Sequence, residues 1–265
     1  MHTFWQYILY LFRAGNAHGL HSPFAYQLYT EVIAADKWYY DFDVLEDLRA
    51  SLLNNTNKLE VTDFGAGSKR NKQNQRMISD IAQYSISQAQ VSQLLFKLVD
   101  YFRPQIIVEL GTSLGINTLH LTLPSTEKAK IYTFEGCPNL SKVATENFAA
   151  FDSNKQITTI VGNIDETLQV FLATLQAHKQ SLDFVFFDAN HQYEPTMRYF
   201  AQCLPLINED TVFIFDDIYW SVEMTKAWKE IVQHESVQMS IDLFQVGLIF
   251  FRKKQPKQHF CLRFS

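Results

Sequence analysis

The sequence predicts an α/β chain built on a doubly wound, mostly parallel sheet that closes with an antiparallel hairpin. Three observations carry that reading. From Ile106 onward, short apolar runs alternate with stretches of helical periodicity. Strand and helix in repeated alternation imply a parallel sheet covered on both faces. The last two apolar runs, 237–242 and 246–251, are separated by three residues. That is too few for a parallel crossover, so the two runs must pair antiparallel.

The elements follow in order. Strands are expected at Ile106–Leu110, Lys130–Glu135, 157–161, 183–188 and 211–215. Helices are expected at 116–123, 138–151, 164–178 and 195–204, and a further one at Val222–Gln233 precedes the hairpin. Residues 1 to about 100 read as helical. Ser22-Pro23 has the pattern of an N-cap followed by proline at the first helical position, with Leu28, Val32 and Ile33 at helical spacing after it. A second helix is expected at 43–53. A third, 88–102, puts Val91, Leu94, Leu95, Leu98 and Phe102 on one face. It ends at Arg103-Pro104, since the residue before proline is pushed out of the helical region. The apolar run 4–12 is too short to span a bilayer, and it is expected to form a buried amphipathic helix. This organisation suggests an N-terminal helical cap region, 1–86, and a main domain, 87–265.

Composition narrows the function classes. The 265 residues are 47% hydrophobic, enough for a large core without cross-links. A net charge of −5 and a pI of about 5.9 argue against a nucleic-acid partner, which calls for a basic face. The basic cluster Arg252, Lys253, Lys254 and Lys257 reads as a solvated strand end and tail. Cys137, Cys203 and Cys261 are far apart and lack metal-binding spacing. Together with the absence of a signal-peptide pattern, this points to a reducing, cytoplasmic setting and to no membrane partner. A homodimer is compatible with the sequence but not demanded by it.

Two glycine-bearing segments compete for the ligand loop. The first holds Asp63, Gly65, Gly67 and Ser68; the second runs Glu109-Leu-Gly-Thr-Ser-Leu-Gly115. A nucleotide-type loop leaves a strand, enters a helix, and is followed about 20 residues on by an acid at the end of the next strand. The second segment satisfies both conditions, with Glu135 as the acid. The first follows a weak strand, 58–61, and has no such acid, so 63–70 reads as a polar turn. An anion or substrate contact through Ser68, Lys69 and Arg70 is the alternative. A dinucleotide fingerprint wants Gly-x-Gly-x-x-Gly to seat a pyrophosphate, yet position 113 is Ser. S-adenosylmethionine has no phosphate to seat. Glu109 could serve its ammonium, directly or by holding the loop.

Three segments around these residues carry a resemblance to a known family. The run SQAQVSQLLFKLVDYFRPQIIVELGTSLGINTLHL resembles the start of the catechol and caffeoyl-coenzyme-A O-methyltransferases. IYTFEGCPN resembles their ribose-binding strand end, and LDFVFFDANHQYEP their fourth strand and its exit loop. The resemblance covers roughly residues 87–250. It implies a Rossmann-like class I methyltransferase fold with seven strands and S-adenosylmethionine as cofactor. Gly111, Thr112, Ser113 and Gly115 would shape the methionine side. Glu135 and Gly136 would face the ribose, Asn163 and Ile164 the adenine, and Asp188 the cofactor or its metal.

The strand ends also bring three carboxylates into view. Asp188 closes the fourth strand, and Asp216 and Asp217 close the fifth. In the expected order these strands are neighbours and lie beside the cofactor strand, with their carboxyl ends at the crevice where open α/β sheets bind ligands. Converging carboxylates repel unless a cation sits among them, and Mg²⁺ with oxygen ligands is the natural candidate. The resembling families hold Mg²⁺ with an aspartate of the fourth strand and a pair after the fifth. The Asp-Asp pair is the form seen in antibiotic-sugar O-methyltransferases. Those enzymes carry Asp-x-Asp at the fourth strand, where this chain has Asp188-Ala-Asn190 followed by His191. Asn190 cannot take a proton. His191, whose ordinary pKa is about 6.5, is the candidate base, unless the metal alone suffices or His191 is an ordinary loop residue. Tyr219 and Trp220 either wall a substrate pocket or pack as core. His18 and His21 read as structural.

These readings converge on methyl transfer from S-adenosylmethionine to a small-molecule acceptor, at a hydroxyl oxygen and with Mg²⁺ assistance. Two alternatives stay open. One is a nicotinamide-dependent oxidoreductase on a similar sheet. The other is a module that binds S-adenosylmethionine without chemistry, which the Asn190 departure keeps in play.

Overall fold

The computed structural model describes residues 1–62, 75–151, 156–253 and 256–264. The loop 63–70 and Lys254 lie outside those residues. In chain order the elements begin with α1 (His2–Arg13) and α2 (Pro23–Leu28), the latter continued by a π-helical turn at Tyr29–Ile33. Then come α3 (Tyr40–Leu53), β1 (Lys58–Glu60), β2 (Gln75–Met77), α4 (Ile78–Ser85) and α5 (Ala89–Phe102). The alternating part comprises β3 (Ile106–Leu110), α6 (Ile116–Thr122), β4 (Lys130–Glu135), α7 (Pro138–Ala149), β5 (Gln156–Val161) and α8 (Ile164–Ala177). It continues with β6 (Leu182–Phe187), α9 (Tyr193–Cys203), β7 (Ile207–Asp216) and α10 (Val222–Gln233). The chain closes with β8 (Met239–Asp242), β9 (Val246–Phe250) and β10 (Gln258–Cys261). No helix among the described residues is long and apolar enough to cross a membrane.

The fold is α/β with a mostly parallel main sheet of eight strands. The chain divides into two compact units, a central one, Asp36–Thr167, and a terminal one, Met1–Ala35 with Leu168–Ser265. In the central unit β3, β4 and β5 run parallel, in register from Ile106↔Lys130↔Gln156. Every residue of β3 is buried, as a strand covered on both faces requires. Its apolar run is interrupted only by Glu109. β1 lies where the weak strand 58–61 is expected, and its antiparallel partner β2 falls in a region expected to be helical. Leu52, Val61, Ile78, Ile81 and Ala82 pack with Leu114, Ile116, Cys137 and Leu140 in one apolar cluster. The segment before residue 86 therefore supports the turn that follows β3. Helix α5 stops at Arg103, whose φ of 50° places it in the left-handed region ahead of Pro104.

In the terminal unit the order is β10-β8-β9-β7-β6. β6 and β7 run parallel, and β7–β9 and β8–β9 are antiparallel, the expected hairpin. Its turn depends on Phe244 at φ 70° and on the Asp242 carboxylate, which accepts the Phe244 amide at 2.9 Å. β10 is the strand beyond the expected seven. It pairs parallel with β8 from Gln258↔Met239, in a stretch that reads from sequence as basic tail. Four residues are too short to show a periodic signal. Ser22 caps α2 through a hydrogen bond to the Ala25 amide, with Pro23 in the first turn. The 4–12 run does form a helix, but not a buried one: of α1 only Tyr10 is buried.

One core residue ties stability to pH. His120 of α6 is fully buried beside Phe42, and its Nδ1 lies 2.9 Å from the Ile116 carbonyl. A carbonyl only accepts, so Nδ1 carries the proton. Burial pushes the pKa down to about 4. The folded state thus binds this proton less readily than the unfolded chain, and stability is lost as pH falls from about 6.5 to about 4. Over that window the stability gap between the wild type and His120→Leu, read by urea unfolding, should shift by about 3 kcal/mol in favour of the variant.

Candidate functional site

The central unit presents its candidates at the carboxyl ends of three consecutive parallel strands. β3 runs into the turn Gly111–Gly115, where Gly111, Ser113 and Gly115 have φ of 107°, 48° and 83°. Two of these positions are glycine, which bears such angles without a Cβ penalty. Ser113 is not, and a non-glycine residue held there is strained. The turn is held by β4. The amides of Gly111 and Thr112 both donate to the Phe134 carbonyl at 3.0 Å. The Ser113 amide donates to Glu135 Oε2 at 2.8 Å, and Glu135 Oε1 accepts the Cys137 amide at 2.8 Å. The Gly115 amide donates to the Thr112 carbonyl at 2.9 Å. Gly115 also lies against α7, where an added Cβ would meet the Phe148 ring at 2.5 Å.

Below the turn sits Glu109, fully buried. Its Oε2 accepts hydrogen bonds from Thr118 and from Thr133, the latter at 2.6 Å. Thr133 in turn meets Thr112 Oγ1 at 2.5 Å. Oε1 of Glu109 has no partner among the described residues. Burial pushes its pKa up to about 8, against the opposing pull of the two threonines. At neutral pH the group is therefore mostly a neutral acid. Gly136 follows, part-exposed. After β5, Gly162 at φ 139° donates to the Glu135 carbonyl, and Asn163 caps α8, its side chain accepting the Asp165 amide at 3.1 Å. Ile164 is buried at the start of that helix.

In the terminal unit, Asp188 follows β6, and the chain then takes left-handed backbone at Asn190 (φ 65°) and His191 (φ 43°). The Asn190 amide donates to Tyr199 Oη at 2.6 Å, fixing the turn to α9. His191 Nε2 lies 3.5 Å from Asp188 Oδ1, and its ring centroid 5.8 Å from that of Trp220. Asp216 is the last residue of β7, paired opposite Val246 and buried. Asp217 is left-handed at φ 54°. Burial lowers the His191 pKa and raises that of Asp217, each opposed by the other's charge. Tyr219 is core, bonded to Asp242, whereas Trp220 is 41% exposed.

The expected Mg²⁺ donor set of Asp188, Asp216 and Asp217 does not assemble. Among the described residues no three His, Cys, Asp or Glu side chains are grouped to hold a cation. Asp216 ends β7, Asp217 lies beyond it in left-handed backbone, and the imidazole of His191 lies 3.5 Å from Asp188 and interacts with the charge of Asp217. The side chains that sequence reasoning missed are Thr118, Thr133 and Tyr199. Each is an ordinary helix or strand residue, and only its hydrogen bond to Glu109 or Asn190 marks it.

Residues 108–218 match the family described as methyltransferase domain. The chain carries a class I methyltransferase fold. Among solved structures, a Podospora anserina methyltransferase bound to S-adenosylhomocysteine is 15% identical with a TM-score of 0.56, covering 83% of this chain and 100% of that one. A Bacillus cereus O-methyltransferase in complex with S-adenosylhomocysteine is 16% identical with a TM-score of 0.54, covering 81% and 92%. The O-methyltransferase TomG of Streptomyces achromogenes, involved in tomaymycin synthesis and solved with S-adenosylmethionine, is 17% identical with a TM-score of 0.53, covering 63% and 82%. No curated protein matches by sequence.

The geometry of Gly115 makes a direct prediction. Gly115→Ala must carry a side chain at φ 83° and drive a methyl into Phe148. Urea unfolding should show a loss of about 1–3 kcal/mol; an unchanged midpoint would mean that α7 yields freely.

Proposed function

We propose that this chain transfers the methyl group of S-adenosylmethionine to a hydroxyl oxygen of a small-molecule acceptor. The observation that carries the reading is the state of the turn's amides. Those of Gly111, Thr112, Ser113 and Gly115 are all engaged within the turn and by β4. A pyrophosphate-binding turn needs such amides free to face the anion. Here one of their acceptors is itself a carboxylate, and the buried carboxyl of Glu109, its Oε1 unpartnered among the described residues, lies beneath. That environment disfavours phosphate and suits a cation bearing an ammonium and a sulfonium. It speaks against the nicotinamide reading, and the methyltransferase-domain match points the same way.

The residues fit the cofactor. Glu135, Gly136, Asn163 and Ile164 would hold its nucleoside, and Gly111, Thr112, Ser113 and Gly115 its methionine part, above Glu109. When bound, S-adenosylmethionine supplies an electrophilic methyl on a positively charged sulfur. The protein need supply only orientation and a place for the acceptor's proton. His191 is that place. Burial keeps its imidazole neutral at physiological pH. With Asp188 at Nε2, Nδ1 is left to accept the hydroxyl proton, and the carboxylates of Asp188 and Asp217 steady the imidazolium that forms. The Asn190–Tyr199 hydrogen bond holds the turn that presents the ring. No step is assigned to Mg²⁺, since its donors are not assembled.

Calorimetric titration of the full chain tests the cofactor. Micromolar binding of S-adenosylmethionine with no heat from NADH is expected; the reverse would overturn the reading. Glu109, protonated before binding, should release its proton to solvent when an ammonium binds beside it and lowers its pKa. Calorimetry at pH 7 in buffers of different ionisation enthalpy should therefore show up to about one proton released, and none in Glu109→Gln. With an acceptor in hand, His191→Gln should lower kcat by roughly 100- to 10,000-fold while leaving cofactor affinity unchanged. The acid limb of the wild-type rate profile should lie below the ordinary histidine range, because the His191 pKa is depressed.

A further inference from the structure

Helix α1 is turned inside out. Its inward face is polar and specifically bonded. His2 Nε2 meets Thr225 Oγ1 at 2.9 Å, Thr3 Oγ1 donates to the Trp220 carbonyl at 3.3 Å, and Tyr10 Oη donates to the Leu262 carbonyl at 2.6 Å. Tyr7 and Tyr10 also pack on Phe244, with centroids at 4.9 and 5.3 Å. These contacts fix the helix's rotation. The opposite face then points Phe4, Trp5, Leu9 and Phe12 to solvent, exposed by 62, 60, 50 and 87%. Ile8 lies among them by helical spacing, and the stripe has no charged residue.

We propose that this stripe is the interface with a second copy of the chain, helix against helix across a twofold axis. Area favours it. At the 150–250 Å² of an aromatic side chain, the exposed parts of Phe4, Trp5 and Phe12 alone amount to roughly 400 Å². Leu9 and Leu11 of the same helix, with Val222, 67% exposed and lying in sequence between the Trp220 and Thr225 that α1 bonds, bring the face towards the roughly 800 Å² per partner of a stable interface. Composition agrees, since an aromatic patch without charge is the signature of an interface centre. Residues 4, 8 and 12 form an i, i+4 ridge of the kind that packs into the matching groove of another helix, and a twofold pair presents the same ridge from both sides. A lipid surface is the less suitable occupant. Helices that lie on membranes carry a basic polar face, whereas α1 has a single arginine and the chain a net charge of −5.

Sedimentation velocity of the full chain across the micromolar range tests this independently of any cofactor. The wild type is expected to sediment as a dimer. Phe12→Glu and Trp5→Glu, with unchanged far-ultraviolet circular dichroism, should associate at least ~100-fold more weakly. Val170→Glu, which puts a charge on another exposed apolar residue, 69% exposed on α8, should stay dimeric. A wild type that is monomeric throughout overturns the proposal whether or not the variants fold, as does a Phe12→Glu protein that stays dimeric. A monomeric wild type that co-sediments with phosphatidylcholine vesicles would assign the stripe to lipid instead.

Discussion

The Ser113 amide donating to the Glu135 carboxylate is the contact on which the turn after β3 depends. Ser113 sits at φ 48°, a conformation that costs a non-glycine residue free energy and persists only when its surroundings over-determine it. Glu135 supplies that determination with one oxygen, while its other oxygen holds the amide of Cys137 at the start of α7. One side chain thus fixes the exit of β3 relative to the exit of β4. The amides held in this way are those a phosphate would need, so the brace leaves them unavailable to an anion.

The support reaches further back than the turn. Leu114 and Ile116 are buried with residues of α3, α4 and the segment after β1. Glu109 is held below by two threonines from α6 and β4. A buried carboxyl is costly to ionise without a charged partner, and Oε1 has no partner among the described residues. An apolar residue at 109 would be less costly to bury there.

The terminal unit stores its strain differently. Asn190, His191 and Asp217 all occupy left-handed backbone just past the ends of β6 and β7. Neither asparagine nor histidine resists that region as a branched residue would, and the hydrogen bond to Tyr199 offsets part of the cost. The result aims one imidazole at Asp188 in place of a three-carboxylate cluster. The substitution pattern Asp-Ala-Asn-His made His191 a candidate, but its pairing with Asp188 could not be read from spacing alone.

Local signals determined what was legible in the sequence. Buried strands and amphipathic helices are written as local apolar patterns, and β3, β4 and α10 lie where the pattern put them because that signal needs no partner. The glycines at 111 and 115 mark the turn because their conformations are a property of the residue itself. Tertiary structure decided whatever rests on a distant partner. The Glu135 brace spans 22 residues and the Asn190 tie 9. The short β10 exists by pairing with β8, and the outward roll of α1 is set by contacts to residues more than 200 positions away. Hydrophobic periodicity reports that a helix has two unlike faces. Only the hydrogen bonds made on one of them report which face turns inward.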